Sequence, residues 1–179
     1  MAGRRVIALG RAILLLVIAI ALQTLVVSRI SVLGVSADLF LIFTVVVAIS
    51  KGSLQGAVFG FCAGVVADVA FLQPLGVHAL VYVLTGYAVG MVVARFGRIS
   101  PWGAFLVAGG ASLFAQLLHG LFSYVMGPRA GFLTMVATQI LPEMVLDALV
   151  AVPVYVLLVR VGVLPPSPAE TGATRSVVE

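Results

Sequence analysis

Six ionisable side chains lie within or beside the long apolar runs of the sequence. They are four carboxylates and two imidazoles: Asp38, Asp68, His78, His119, Glu143 and Asp147. Such groups are costly inside a bilayer and are therefore candidates for function. Together they could bind a ligand, an ion or a polar segment of a partner.

Glu143 and Asp147 are four residues apart, which places both carboxylates on one helix face. In a low dielectric such a pair needs a proton or a cation between the two charges. Arg29 and Arg129 are the basic residues that the predicted topology places nearest to this pair. Two interpretations remain open: the six side chains line a cavity for a ligand, an ion or a polar segment of a partner, or they only cap helices and fix the packing.

Recognisable catalytic patterns are missing from the sequence. It has no HExxH or GxSxG motif, its single cysteine is Cys62, and its two histidines fall on different predicted helices. We therefore expect no enzymatic activity, no cofactor and no metal site.

The composition explains what must surround these side chains. Of the 179 residues, 63% are hydrophobic and 9% are charged, with a mean hydropathy of +1.27. Soluble domains have about 45–50% apolar and about 25% charged residues, so lipid must be the main solvent of this chain. The ten basic residues flank apolar runs and form no patch with interleaved aromatic residues, which argues against nucleic acid as a partner.

Six apolar runs predict an all-α membrane protein, a six-helix transmembrane bundle in one domain over residues 1–164. The runs are Val6–Val27, Ile30–Ile49, Gly52–Leu72, Val77–Ala94, Trp102–Met126 and Phe132–Val159. The second run can cross a bilayer only if Gly34, Ser36 and Asp38 enter it, because Leu39–Ile49 is too short. Pro142 and Pro153 predict bends in the last run. Residues 165–179 are predicted to be a disordered cytoplasmic tail.

Basic residues predict the orientation. Eight of the ten fall on one side of the predicted topology: Arg4, Arg5, Arg11, Lys51, Arg95, Arg98, Arg160 and Arg175. The positive-inside rule then places both termini in the cytoplasm. All six ionisable side chains fall in the outer half of the bundle.

Glycines recur at four-residue spacing in the third run, at Gly52, Gly56, Gly60 and Gly64, and Gly86 and Gly90 repeat the spacing in the fourth. Small residues at this spacing let two helix backbones approach closely. The glycines are therefore candidates either for docking a partner's transmembrane helix or for packing inside the bundle.

The segment from residue 37 to residue 90 resembles a known family. Its markers are Ala37-Asp38-Leu39, the glycines from Gly52 to Gly64 followed by Asp68, then Pro74-Leu75-Gly76, Ala79-Leu80 and Gly86-Tyr87. Their order resembles that in MreD, a small integral membrane component of the bacterial rod-shape apparatus. Two positions depart from the pattern: Ala37, where proline is usual, and Asp147, where we expect a neutral amide.

This resemblance implies a scaffold in the bacterial inner membrane that supports cell shape and lateral peptidoglycan synthesis. It implies MreC as the partner, with MreB, RodA and a class B transpeptidase in the wider complex. It also implies a fold like that of the substrate-binding components of energy-coupling-factor transporters. The alternative function is therefore a membrane component of a transporter that binds a small solute, either a vitamin or an ion.

Overall fold

The computed structural model describes residues 2–25, 37–96, 101–126 and 139–160. Within these ranges the regular structure is helical, with no strand. Six helices follow one another: α1 (Ala2–Leu25), α2 (Leu39–Lys51), α3 (Ser53–Ala70), α4 (Val77–Phe96), α5 (Pro101–Met126) and α6 (Leu141–Arg160).

Four of these helices are long and apolar enough to cross a membrane. The qualifying segments are Ser53–Ala70, Val77–Phe96, Trp102–Phe122 and Leu141–Leu158, and α1 and α2 contribute shorter apolar segments, Ile13–Gln23 and Leu39–Lys51. The predicted class, an all-α membrane protein with six helices, is confirmed. The predicted tail, residues 165–179, lies outside the described residues.

Helix α2 lies at the centre of the bundle and contacts each of the five other helices. Every residue from Leu39 to Ser50 is buried, as expected for a helix that is apolar on all sides. At about 1.5 Å per residue its 13 residues extend for about 20 Å, less than the thickness of the hydrocarbon core. α2 is therefore the core around which the longer helices pack.

The predicted start of this helix is wrong, because α2 begins at Leu39 and not at Ile30. Asp38 has an extended backbone, and its side chain accepts a hydrogen bond from the backbone N–H of Leu41 at 3.2 Å. This N-cap satisfies a donor that has no partner inside the first turn. Gly34 and Ser36 lie outside the described residues.

Helices α3 and α4 form an antiparallel pair, and glycines make their contact. A Cβ atom added to Gly60 would lie 2.5 Å from the carbonyl oxygen of Tyr82. One added to Gly56 would lie 2.5 Å from the Cβ atom of Ala48 and 2.9 Å from the carbonyl oxygen of Gly86. No larger residue fits these positions unless the backbones move apart.

The remaining glycines extend this contact. Gly64 lies against the backbone of Ala79, and Gly90 lies against the backbone of Ser53. Gly52 differs, because it forms the turn between α2 and α3 with a φ of +92°, which favours glycine. Except for Gly52, these glycines thus pack against other helices of the same chain.

Helix α6 covers the second part of the predicted run Phe132–Val159, and residues 132–138 lie outside the described residues. Residues 139 and 140 are π-helical and run directly into α6, so Pro142 follows helical backbone, and Pro153 lies in the interior of α6. The bends expected at these prolines remain a prediction.

The helices alternate in direction, so the bundle has two chemically different ends. Lys51, Arg95 and Arg160 lie in the last turns of α2, α4 and α6, which we call the basic end. The opposite end holds Asp38 at the start of α2, Asp68 near the end of α3 and Glu143 in the first turn of α6.

Candidate functional site: a polar cavity opposite the basic end

A cavity of about 350 Å³ lies at the end of the bundle opposite the basic end. Side chains from α1, α2, α4, α5 and α6 and from the turn between α3 and α4 converge on it. Its lining residues are Gln23, Ala37, Asp38, Leu41, Phe71, Gln73, His78, Val81, Tyr82, Ala115, Gln116, His119, Gly120, Gln139, Ile140 and Glu143. We call it the polar cavity.

Two aspartates support one wall of the polar cavity. The Oδ1 atom of Asp147 accepts a hydrogen bond from the backbone N–H of Asp38 at 2.8 Å, and its Oδ2 atom accepts one from the hydroxyl of Ser112 at 2.5 Å. The Tyr82 hydroxyl donates to Oδ2 of Asp38. Asp147 thereby joins α6 to α5 and to the start of α2, and Asp38 joins the start of α2 to α4. Each of the four carboxylate oxygens accepts a hydrogen bond.

Asp68 has a comparable structural role in the turn between α3 and α4. Its carboxylate accepts hydrogen bonds from the backbone N–H groups of Gly76 at 2.7 Å and of His78 at 2.9 Å. These donors lie at the beginning of α4, where backbone N–H groups have no helical partner. The Nδ1 atom of His78 lies 2.8 Å from the same carboxylate. Asp68 therefore caps α4 and also orients the His78 ring.

Rings and a glutamate complete the polar cavity. The ring centroids of His78 and His119 are 4.7 Å apart, and those of Phe71 and His78 are 5.7 Å apart. The Nδ1 atom of His119 is buried and has no hydrogen-bond partner among the described residues. Glu143 is hydrogen-bonded to the side chain of Gln116.

The structure brings the six predicted side chains to one end of the bundle. Asp38, His78, His119 and Glu143 line the polar cavity, whereas Asp68 and Asp147 lie directly behind its wall. Asp147 accepts hydrogen bonds from the backbone of Asp38 and from Ser112. Two carboxylates, those of Asp38 and Glu143, lie near it, and not only that of Glu143 as the four-residue spacing suggested. Arg29 and Arg129 lie outside the described residues.

Sequence reasoning missed the uncharged half of the polar cavity. Gln23, Gln73, Gln116, Gln139 and Tyr82 also line it. Amides and hydroxyls are costly in lipid too, so polar residues in apolar runs were the signal that could have identified Gln23, Gln116 and Tyr82. Gln139 also falls inside the predicted run Phe132–Val159, so the same signal applied to it, whereas Gln73 lies in the turn between α3 and α4, where a glutamine is unremarkable in sequence.

The described residues limit the chemistry that this end of the bundle can perform. No group of three or more histidine, cysteine or carboxylate side chains among them is arranged to hold a metal ion. Cys62 is exposed on α3, away from the polar cavity. What the polar cavity offers is an accessible carboxylate, an imidazole with an unpaired nitrogen, and amide groups.

Comparisons with known proteins agree with the helical architecture. The family model described as rod shape-determining protein MreD matches residues 4–161. Neither the comparison with curated proteins nor the comparison with solved structures found a match, so the predicted likeness to energy-coupling-factor components stays a prediction. Members of the matched family determine rod shape and are not known as enzymes. Since the match spans nearly the whole chain, this apolar helical bundle belongs to the MreD family of rod shape-determining membrane proteins.

Proposed function

We propose that the protein is an integral membrane scaffold of the rod-shape complex that binds the transmembrane helix of MreC. In this role it supports lateral peptidoglycan synthesis together with MreB, RodA and a class B transpeptidase. The family match supports the shape-determining role.

The charge distribution supports an orientation for this scaffold. Lys51, Arg95 and Arg160 end three helices at the basic end. By the positive-inside rule this end faces the cytoplasm of the inner membrane, with both termini on the same side. The polar cavity then opens on the extracytoplasmic side, where MreC has its soluble domain.

The docking surface that we propose is the α3–α4 outer face, which lies on the side of this pair opposite α2. It consists of exposed apolar side chains in two adjacent rows: Leu54, Val58, Phe61 and Val65 on α3, and Leu80, Leu84, Tyr87 and Met91 on α4. Both rows have alternating spacings of four and three residues, which is the pattern that packs against a further helix in a left-handed crossing.

Tyr87 is the observation that carries this proposal. It lies near the middle of α4, so its side chain enters the hydrocarbon core, and it is 47% exposed. Among the described residues its hydroxyl has no hydrogen-bond partner. A hydroxyl without a partner is unfavourable in lipid, and a partner helix with a polar group at mid-membrane would satisfy it.

Co-purification with MreC tests the proposal. Replacing Tyr87 by Phe removes only the hydroxyl, and replacing Phe61 by Ala removes a ring that is 56% exposed on the same face. We expect the double variant to recover at least threefold less MreC from solubilised membranes than the unchanged protein does.

Leu149 provides the matched control, because it lies near the middle of α6 and is 58% exposed. Leu149→Ala should leave the recovery of MreC unchanged. If the Tyr87→Phe, Phe61→Ala variant retains MreC while Leu149→Ala loses it, MreC binds elsewhere.

A further inference from the structure

The polar cavity is larger than helix capping requires. Its volume of about 350 Å³ falls within the range of about 300–1,000 Å³ typical of sites for small molecules. Helix capping explains Asp38 and Asp68, and hydrogen bonds between helices explain Asp147, because the carboxylate oxygens of all three accept hydrogen bonds from the protein itself. It does not explain why a carboxylate, an imidazole and several amides from different helices face a shared space.

Glu143 is the carboxylate that remains available in the polar cavity. Its described protein partner is the side chain of Gln116, an uncharged amide. No lysine or arginine lines the polar cavity within the described residues, and Lys51, Arg95 and Arg160 lie at the basic end. Among the described residues, Glu143 therefore has no lysine or arginine beside it, and a carboxylate in a low dielectric is costly without a positively charged partner.

Flat rings form another part of the polar cavity's lining. Phe71, His78 and His119 follow one another with centroids 5.7 and 4.7 Å apart, and the Tyr82 ring lies 5.6 Å from that of His78. Ring faces attract cations and planar groups. The buried Nδ1 atom of His119 is open to a further hydrogen bond, and the amides of Gln116 and Gln139 can donate or accept others.

We propose that the polar cavity binds a small organic cation. An ammonium or amidinium group is held by Glu143, and a short planar or apolar body lies against the rings of His78 and His119. This binding does not depend on MreC, since none of its groups belongs to the α3–α4 outer face. The chemistry is shared by two sources, a free amine and the ammonium head group of phosphatidylethanolamine.

The direct test uses three nearly isosteric probes of different charge: benzamidine, benzamide and benzoate. The full-length protein is purified into phosphatidylcholine nanodiscs, and binding is measured by calorimetry and by the thermal shift. We expect saturable binding of benzamidine, at least tenfold weaker binding of neutral benzamide, and no binding of benzoate. Equal binding of benzamidine and benzamide, or failure of benzamidine to bind, overturns the proposal.

Glu143→Gln separates charge recognition from folding, because glutamine keeps the shape and the hydrogen-bonding capacity of the side chain. We expect it to weaken benzamidine binding at least tenfold while the melting temperature without ligand and the elution volume stay the same. Glu170→Gln, which removes the same charge far along the sequence from the polar cavity, should leave binding within twofold. Benzamidine binding that survives Glu143→Gln overturns the assignment of Glu143.

The lipid source is distinguished by changing the nanodisc. If phosphatidylethanolamine is the natural occupant, replacing half of the phosphatidylcholine with it should raise the apparent dissociation constant of benzamidine at least threefold. If the natural occupant is a free amine, the dissociation constant should not change. The same measurement is repeated on the residual benzamidine binding of the Glu143→Gln variant. If phosphatidylethanolamine still weakens that binding, the lipid acts outside the polar cavity, and phosphatidylethanolamine is not the occupant.

Discussion

Asp147 connects three helices through its two carboxylate oxygens. One oxygen accepts from the backbone N–H of Asp38 at 2.8 Å and the other from Ser112 at 2.5 Å. Replacing Asp147 by Ala leaves both donors buried without an acceptor, at a cost of about 1–3 kcal/mol each. We expect Asp147→Ala to lower the thermal unfolding temperature of the detergent-purified protein by several degrees.

Asp147→Asn is the matched comparison, because the amide oxygen still accepts from Asp38 and the amide nitrogen can donate to Ser112. Its unfolding temperature should stay close to that of the unchanged protein. This equivalence also explains how an acid can stand where we expect a neutral amide in the family. If Asp147→Asn is as unstable as Asp147→Ala, the negative charge matters more than the hydrogen bonds.

Sequence reasoning identified the acids and histidines at this end, because their cost in lipid singles them out. It could not assign their partners. The bond from Asp38 to Asp147 joins residues 109 positions apart, and such a pairing depends on how α2 and α6 meet. For the same reason, the sequence could not separate Glu143, which faces the polar cavity, from Asp147, which lies behind its wall.

The α3–α4 contact depends on having no side chain at Gly60. A Cβ atom there would lie 2.5 Å from the Tyr82 carbonyl oxygen and 2.9 Å from Thr44 Cγ2. Since backbone cannot rotate away as a side chain can, α3 and α4 must separate. We expect Gly60→Ala to destabilise the protein by about 1–3 kcal/mol in thermal or chemical unfolding.

Gly110 on α5 is the control, because nothing lies within 4 Å of a Cβ atom added there. Alanine favours a helix over glycine by up to about 1 kcal/mol, so Gly110→Ala should leave the stability unchanged or raise it. Equal destabilisation by both substitutions would show that helix propensity or lipid contact, and not the α3–α4 contact, explains the effect of Gly60→Ala.

The short central helix shows where the sequence is ambiguous. The apolar run Leu39–Ile49 predicted most of α2. Because a helix needs about 20 residues to cross a bilayer, the predicted helix was extended back to Ile30. Because five helices surround α2, its ends need not reach the membrane surface. Periodicity cannot reveal this arrangement, since a helix buried on every side has no polar face.

The predicted orientation can be tested with single cysteines. Cys62 is the only natural cysteine, so Cys62→Ala gives a cysteine-free background. Leu75→Cys lies in the exposed turn between α3 and α4, and Arg175→Cys lies near the C-terminus. A membrane-impermeant maleimide should label position 75 in intact spheroplasts, but label position 175 only after permeabilisation. The opposite labelling pattern would show that the protein has the inverted orientation in the membrane.

The composition and the apolar runs were enough to predict an all-α membrane protein, because few other arrangements bury so much apolar surface. They did not predict which helices lie at the centre. The glycines illustrate the difference: their spacing predicted close helix contact, while only the structure shows that Gly56 and Gly60 make it with α2 and α4 of the same chain. We place the proposed partner contact on the α3–α4 outer face, where exposed apolar side chains remain.

Site-specific photocrosslinking in living cells tests MreC binding at this face most directly. p-Benzoylphenylalanine is placed at position Phe61 on the α3–α4 outer face, and separately at position Leu149 on α6, both near mid-helix and similarly exposed. We predict an ultraviolet-dependent adduct with MreC from position 61 and none from position 149. An adduct from position 149 alone, or from neither position in cells that contain both proteins, would contradict MreC binding at the α3–α4 outer face.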